Sequence, residues 1–167
     1  MGYNLPKNIF SRLLDVDGDG TGNTNMAVNG SVTPVVFKLA PEAGTVMLVA
    51  RVIFYVEDAG TFDADKWGNG ITITTGIEMK AKRTNDTESL CEPLKKTGEL
   101  AGLMHDVNHF AFGTGNEIIS SRLTFSKFGN PIRLVGNYGD ELQIIINDDL
   151  TGLVNQRVTA QGQYASQ

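Results

Sequence analysis

The chain has 167 residues, of which 41% are hydrophobic and 20% charged, a composition typical of one ordered globular domain. The formal net charge of −5 predicts no nucleic-acid partner, because binding to phosphates requires clustered Lys and Arg. No stretch is apolar enough for a secretory signal or a membrane span, so we expect synthesis in a cytoplasm and no membrane partner. Cys91 is the single cysteine, which excludes a disulfide within the chain.

Residues 1–30 are predicted to form an N-terminal arm followed by a loop rich in Gly and Asp. In the arm, a proline precedes apolar residues at helical spacing, which predicts one or two helical turns over residues 6–14. We expect these apolar side chains either to contact a neighbouring protein or to pack on their own domain, since they are too apolar for a free arm. They are Ile9, Phe10, Leu13 and Leu14.

Residues 31–167 are predicted to form a single all-β domain. The apolar runs there are short, rich in β-branched residues and separated by glycines, which is typical of strands. So many strands with loops between them indicate a sandwich or a barrel, and we predict an antiparallel β-sandwich. Residues 84–104 contain a proline and two glycines and are predicted to be a long excursion with a broken helical turn, too long for a tight hairpin. The predicted strands are 31–39, 45–58, 71–81, 107–112, 117–125, 131–135, 141–147 and 154–164.

The run 45–58 is the longest predicted strand. Strict alternation places Met47 and Val49 on the face opposite to Val52 and Phe54. One face is apolar throughout and the other largely so, which predicts a central strand.

The stretch DVDGDGTGNTN, from Asp15 to Asn25, invites comparison with a calcium loop. An EF-hand loop that starts at Asp15 has a glycine at position 6, as required, but Met26 occupies position 12, where a bidentate Glu is needed. We therefore predict a structural bend with no metal and no cofactor. The alternative that stays open is a weak calcium site, joined by Asp148 or Asp149, whose first three carboxylates are Asp15, Asp17 and Asp19.

Few other residues suggest chemistry. His105 and His109 are four residues apart, on one face of either a helix or a strand, but a zinc site needs further ligands, so we expect structural histidines. The sequence has neither a GxSxG nucleophile elbow nor an opposed pair of carboxylates, and we predict that the protein is not an enzyme. We expect Trp67 to fill a hydrophobic contact; stacking on a sugar is the alternative.

Five segments give the chain a characteristic order of features: DGDGTG, SVTPVVFKL, LVARVIFYVEDAGTFDADKWGNGITITTGIEMK, GNEIISSRLTF and IRLVGNYGDELQIIINDDLTGLVNQRVTAQGQY. Together they cover nearly all of the chain and resemble small virion structural proteins of tailed bacteriophages. The resemblance implies a jelly-roll-like β-sandwich that assembles on the particle, as capsid decoration (cement) proteins do. It also implies a location in the virion, with the major capsid protein or other virion proteins as partners.

Two functions stay open under this resemblance. A decoration protein would stabilise contacts between capsid subunits, and we expect a homotrimer, because jelly rolls of this size commonly pack around a symmetry axis. Its expected interface consists of the apolar residues of the arm together with Phe62 and Trp67. A tail or fibre module would instead bind a host receptor or a carbohydrate, with Trp67, Tyr138 and the acidic loops facing the ligand.

Overall fold

The computed structural model describes residues 8–58, 73–94, 106–112, 116–125 and 130–165. Strands dominate these ranges, and a short 3-10 turn at Gly136–Tyr138 precedes the ninth strand. Within them, no helix is both long and apolar enough to cross a membrane. The strands are β1 (Ile9–Leu13), β2 (Val35–Leu39), β3 (Val46–Asp58), β4 (Ile77–Arg83), β5 (Asp86–Leu94), β6 (Asp106–Phe112), β7 (Asn116–Thr124), β8 (Ile132–Val135), β9 (Glu141–Ile146) and β10 (Asn155–Ala165).

The strands form two antiparallel sheets, which confirms the predicted β-sandwich. The six-stranded sheet has the order β1-β10-β3-β7-β6, with β8 also paired to β3, and the four-stranded sheet has the order β2-β9-β4-β5. β10 lines one edge of β3, while β7 and β8 share the other edge, at residues 51–58 and 46–49 of β3 respectively. β3 is therefore a central strand, as its apolar faces predicted.

The core between the sheets includes side chains from the N-terminal part of the chain. Leu14 and Met26 are fully buried, in the same cluster as Phe37 of β2 and Ile144 of β9. β1 pairs with β10 over its whole length. The described residues before position 31 therefore share one core with the residues that follow them.

The prediction of helical turns over residues 6–14 is wrong, because β1 occupies most of that segment. Phe10 and Leu14 point into the core, whereas Ile9 is exposed. A spacing of four residues is even, so it places two side chains on one face of a strand as readily as on one face of a helix. Pairing with β10 then overrides the weak local preference for a helix.

A β-bulge in β3 overturns the face assignment that strict alternation predicted. The register with β10 shifts next to Gly162 and leaves Ala50 without a partner on that strand. Beyond this extra residue the alternation is reversed, so Met47 and Val49 are buried on the same side as Val52. The prediction that Met47 and Val49 lie opposite to Val52 is therefore wrong.

The segment 84–104 begins as a tight hairpin, in contrast to the long excursion predicted for it. Thr84 and Asn85 form a two-residue turn between β4 and β5, and Arg83 pairs with Asp86 across it. The pattern of β5, DTESLCEPL, is polar and contains a proline, which is why its strand signal is weak. Residues 95–105 lie outside the described ranges.

Candidate functional site

Asp15 organises the Asp-rich loop from the inside. Its side chain is fully buried, and its carboxylate accepts hydrogen bonds from the backbone N–H groups of Gly18 at 2.5 Å and Gly22 at 2.6 Å. The backbones of Asp15 and Lys38 exchange two hydrogen bonds, of 3.2 and 2.7 Å. Both carboxylate oxygens of Asp15 therefore hold the loop together, and the loop is fastened to β2.

Asp19 lies on the exposed side of the same loop. Its carboxylate accepts hydrogen bonds from the hydroxyl and the backbone N–H of Thr21, at 2.7 and 2.8 Å, and these bonds hold the pKa of Asp19 below its ordinary value. Gly18 and Gly20 have φ angles of 89° and 83°, which only glycine adopts at little cost, so they allow the sharp bend.

The aspartates of this loop accept hydrogen bonds from different backbone and hydroxyl donors, although the side chains of Asp15 and Asp19 also interact. Asp15 faces backbone amides inside the protein and Asp19 faces Thr21, while Asp17 is exposed. Across the described ranges, no group of three or more His, Cys, Asp or Glu side chains is placed to hold a metal ion. The geometry favours a structural bend, and independence from a tightly bound metal stays a prediction.

Asp148, at the corner between β9 and β10, also accepts backbone hydrogen bonds, but from residues that are far away in the sequence. It is 4% exposed and accepts hydrogen bonds from the Thr74 hydroxyl at 2.6 Å and from the N–H groups of Thr74, Thr75 and Gly76 at 2.5 to 3.2 Å. These bonds hold residues 73–76 as a loop, so β4 starts at Ile77 rather than at the predicted residue 71.

The pKa of Asp148 reflects two opposing causes. Burial raises it, but the hydrogen bonds from Thr74, Gly76 and Thr75 outweigh that effect and hold it below the ordinary value. The neighbouring Asp149 is half-buried, and its carboxylate accepts hydrogen bonds from Thr151 and from the Asn29 side-chain amide. The hydrogen bonds from Thr151 lower its pKa. Asp148 and Asp149 therefore serve the corner.

The predicted interface residues of the N-terminal arm divide into two pairs. Phe10 is 8% exposed, and its ring lies 5.3 Å from that of Tyr164; Leu14 is fully buried. These two side chains pack on their own domain. Ile9 is 57% exposed and Leu13 is half-buried, so this second pair remains available to a partner.

Ile9 borders an open groove on the outer face of the six-stranded sheet, called here the outer groove. Its volume is about 720 Å³, and its walls include Leu48, Ala50 and Pro131. Two further predicted interface residues, Phe62 and Trp67, lie outside the described ranges.

The histidine pair also falls partly outside the described residues. His105 is not among them, and His109 is described only as a position in β6, paired with Ile119 of β7. Whether the pair is structural therefore stays a prediction.

A second groove, called here the hairpin groove, lies where the β4–β5 turn meets the 3-10 turn. It has a volume of about 610 Å³, and the Thr84 hydroxyl donates a hydrogen bond across it to the Tyr138 carbonyl oxygen. Sequence reasoning singled out Tyr138 but missed the charged side chains, because no motif links them. The charged side chains that line it are Arg83, Asp86, Arg133 and Asp140.

Comparison with protein-family models, curated proteins and solved structures gives no match to this chain. The fold and the geometry of these two grooves and two loops are therefore the basis for assigning a function.

Proposed function

We propose that this protein is a non-enzymatic structural protein of a bacteriophage particle, a jelly roll that decorates the capsid and stabilises contacts between its subunits. The observation that carries the proposal is that the strand pairs are nested, which means that each pair lies between the two strands of the preceding pair in the sequence. β1 pairs with β10, β2 with β9, β3 with β7 and β4 with β5. Successive pairs alternate between the two sheets.

This nesting is what supports the jelly-roll assignment. A long antiparallel ribbon folded over itself gives two Greek keys and two four-stranded sheets, and here the sheets read β1-β10-β3-β7 and β2-β9-β4-β5. β6 and β8 then extend the first sheet. Jelly rolls occur in capsid and lectin domains, so the fold supports the proposal by analogy, and the surface must supply the contacts.

The outer groove is the surface that we assign to the capsid. Ile9 projects beside it from the edge strand β1, and its floor is apolar where Leu48 and Ala50 meet the bulge at Gly162. Burial of such a surface across a junction between subunits contributes a modest binding free energy. When symmetry repeats the contact, the overall binding becomes strong. We propose a homotrimer, which would present three copies of this groove together.

A second candidate is a tail or fibre module that binds a host receptor or a carbohydrate. Tyr138, which is 66% exposed beside the hairpin groove, is the observation that favours it, because a large exposed ring next to polar side chains is typical of binding surfaces.

The two candidates predict different copy numbers in particles purified from the phage that encodes the chain. Quantitative mass spectrometry should find a copy number comparable to that of the major capsid protein for a decoration protein, and a few copies for a tail module. Absence from the particles contradicts both. Light scattering of the pure protein tests the trimer, and a monomer both alone and with capsids present contradicts it.

Binding to particles that lack the protein tests the outer groove. Ile9→Glu should weaken binding, because it places a charge beside the apolar contact. Val32→Glu is the matched control, since Val32 is 92% exposed and is not part of the groove lining. Equal binding by the two variants would contradict the assignment of the outer groove as the surface that contacts the capsid.

A further inference from the structure

We propose that the hairpin groove binds a neutral carbohydrate. This inference deepens the second candidate function by naming the ligand class of the groove beside Tyr138, and it concerns the chemistry of the isolated protein rather than its place in a virus particle. The volume of about 610 Å³ falls within the range of small-molecule sites and suits one or two sugar rings.

The walls of the hairpin groove are held in place by the backbone. Asp140, which is 4% exposed, accepts a hydrogen bond from the Val135 N–H at 3.0 Å, and the Asp140 N–H donates back to the Val135 carbonyl oxygen. Gly139 closes the 3-10 turn with a φ of 67° and a hydrogen bond to Gly136. The turn that carries Tyr138 is thus fixed before a ligand arrives, which reduces the entropy lost on binding.

The hairpin groove is bordered by charges of both signs. One open space is lined by Arg83, Arg133, Asp86 and Asp140, and Glu88 pairs with Arg83, so the groove is not a cluster of positive charge that would select an anion. It offers donors and acceptors side by side, which suits adjacent hydroxyl groups that donate and accept at once.

Two arginines and one tyrosine provide the specific contacts. The Arg83 guanidinium is oriented by Glu88, with 3.0 Å between Nη1 and Oε2. Arg133 is exposed, and no described residue forms a hydrogen bond or an ion pair with its side chain. The exposed ring of Tyr138 presents an electron-rich face to which the C–H groups of a pyranose ring are attracted.

Saturation-transfer NMR on the full chain tests the inference. The probes are the methyl glycosides of glucose, galactose, mannose and N-acetylglucosamine, with N-acetylneuraminic acid as the anionic comparison. We expect transfer to at least one neutral glycoside. Tyr138→Ala should weaken its binding about tenfold or more, whereas Tyr138→Phe should retain it, because the ring face remains.

Arg133→Ala should also weaken binding, and Arg157→Ala is the matched control, because Arg157 is an exposed arginine of β10 that does not line the groove. The inference is overturned if no neutral glycoside shows transfer, or if Tyr138→Ala binds as the unaltered chain does. It is also overturned if only N-acetylneuraminic acid binds and Arg133→Ala alone abolishes that binding, which would indicate an anion site. These results test the carbohydrate site alone, whereas the copy number in purified particles separately distinguishes a decoration protein from a tail module.

Discussion

The Asp-rich loop at residues 15–25 and the corner at residues 147–151 use the same residue types over different distances. In each region a buried aspartate accepts backbone hydrogen bonds, and a second, less buried aspartate closes a turn with a threonine two residues later. Asp15 binds amides three and seven residues away, whereas Asp148 binds amides 72 to 74 residues away. The first therefore shapes a local bend, and the second joins distant parts of the fold.

The largest effect should come from Asp148→Ala. The change removes the acceptor of three backbone N–H groups and one hydroxyl, and we expect the free energy of unfolding to fall by about 3 kcal/mol, since the buried Gly76 N–H and the part-buried bonds of Thr74 and Thr75 would lose their acceptor. Urea unfolding followed by circular dichroism measures it. Asp149→Ala is the matched control and should cost less, because the donors to Asp149, which are Thr151 and the Asn29 side chain, are exposed and water can replace the lost acceptor. Equal losses in the two variants would contradict the distinction between the buried Asp148 and the half-buried Asp149.

A smaller loss is expected for Asp15→Ala. Only two backbone N–H groups lose their acceptor, so the free energy of unfolding should fall by about 2 kcal/mol. Hydrogen exchange should rise mainly within residues 15–25, because the bonds of Asp15 stay inside the loop. Asp19→Ala serves as the control with a minor effect. If exchange instead rises equally across both sheets in Asp15→Ala, the loop is not a local unit.

Acid should weaken the corner through Asp148. Its pKa is lowered in the folded protein, so its charge contributes stability that is present above the unfolded value of about 3.9. That stability is lost as the pH falls below it toward the folded pKa. Asp148→Asn should therefore flatten the dependence of the unfolding free energy on pH below about 4, by at most about 1.4 kcal/mol per pH unit. An unchanged slope in this variant would contradict the attribution of this pH dependence to Asp148.

The sandwich could be predicted from the sequence because strand signals are local. For β3, β9 and β10, the strand ends predicted from the apolar and β-branched residues agree with the observed ends to within one residue. The faces of β3 could not be predicted in full, since the bulge opposite Gly162 depends on pairing with a strand more than one hundred residues away. At Gly162 a Cβ atom would lie 1.9 Å from the Leu48 carbonyl oxygen, so glycine is required there.

The roles of single side chains were harder to predict than the strands. The spacing of Asp15, Asp17 and Asp19 suggested one shared ligand set, yet burial directs Asp15 inward and leaves the others in water. The task of Asp148 depends on residues 74–76, and nothing in the sequence around Asp148 indicates them. Such long-range polar contacts follow from the packed sheets rather than from local pattern.

The smallest expected effect concerns calcium at the Asp-rich loop, and it tests whether this loop is a bend or an ion site. Met26 stands where a bidentate Glu would be needed, and both oxygens of Asp15 already accept backbone hydrogen bonds. Any affinity should therefore fall near 10⁻⁴ to 10⁻³ M, so about 1 mM calcium would add only about 0.4 to 1.4 kcal/mol. Thermal melts in chelator and in calcium should then differ by a few degrees at most. A shift beyond about ten degrees that Asp17→Ala or Asp19→Ala abolishes would instead show a metal site.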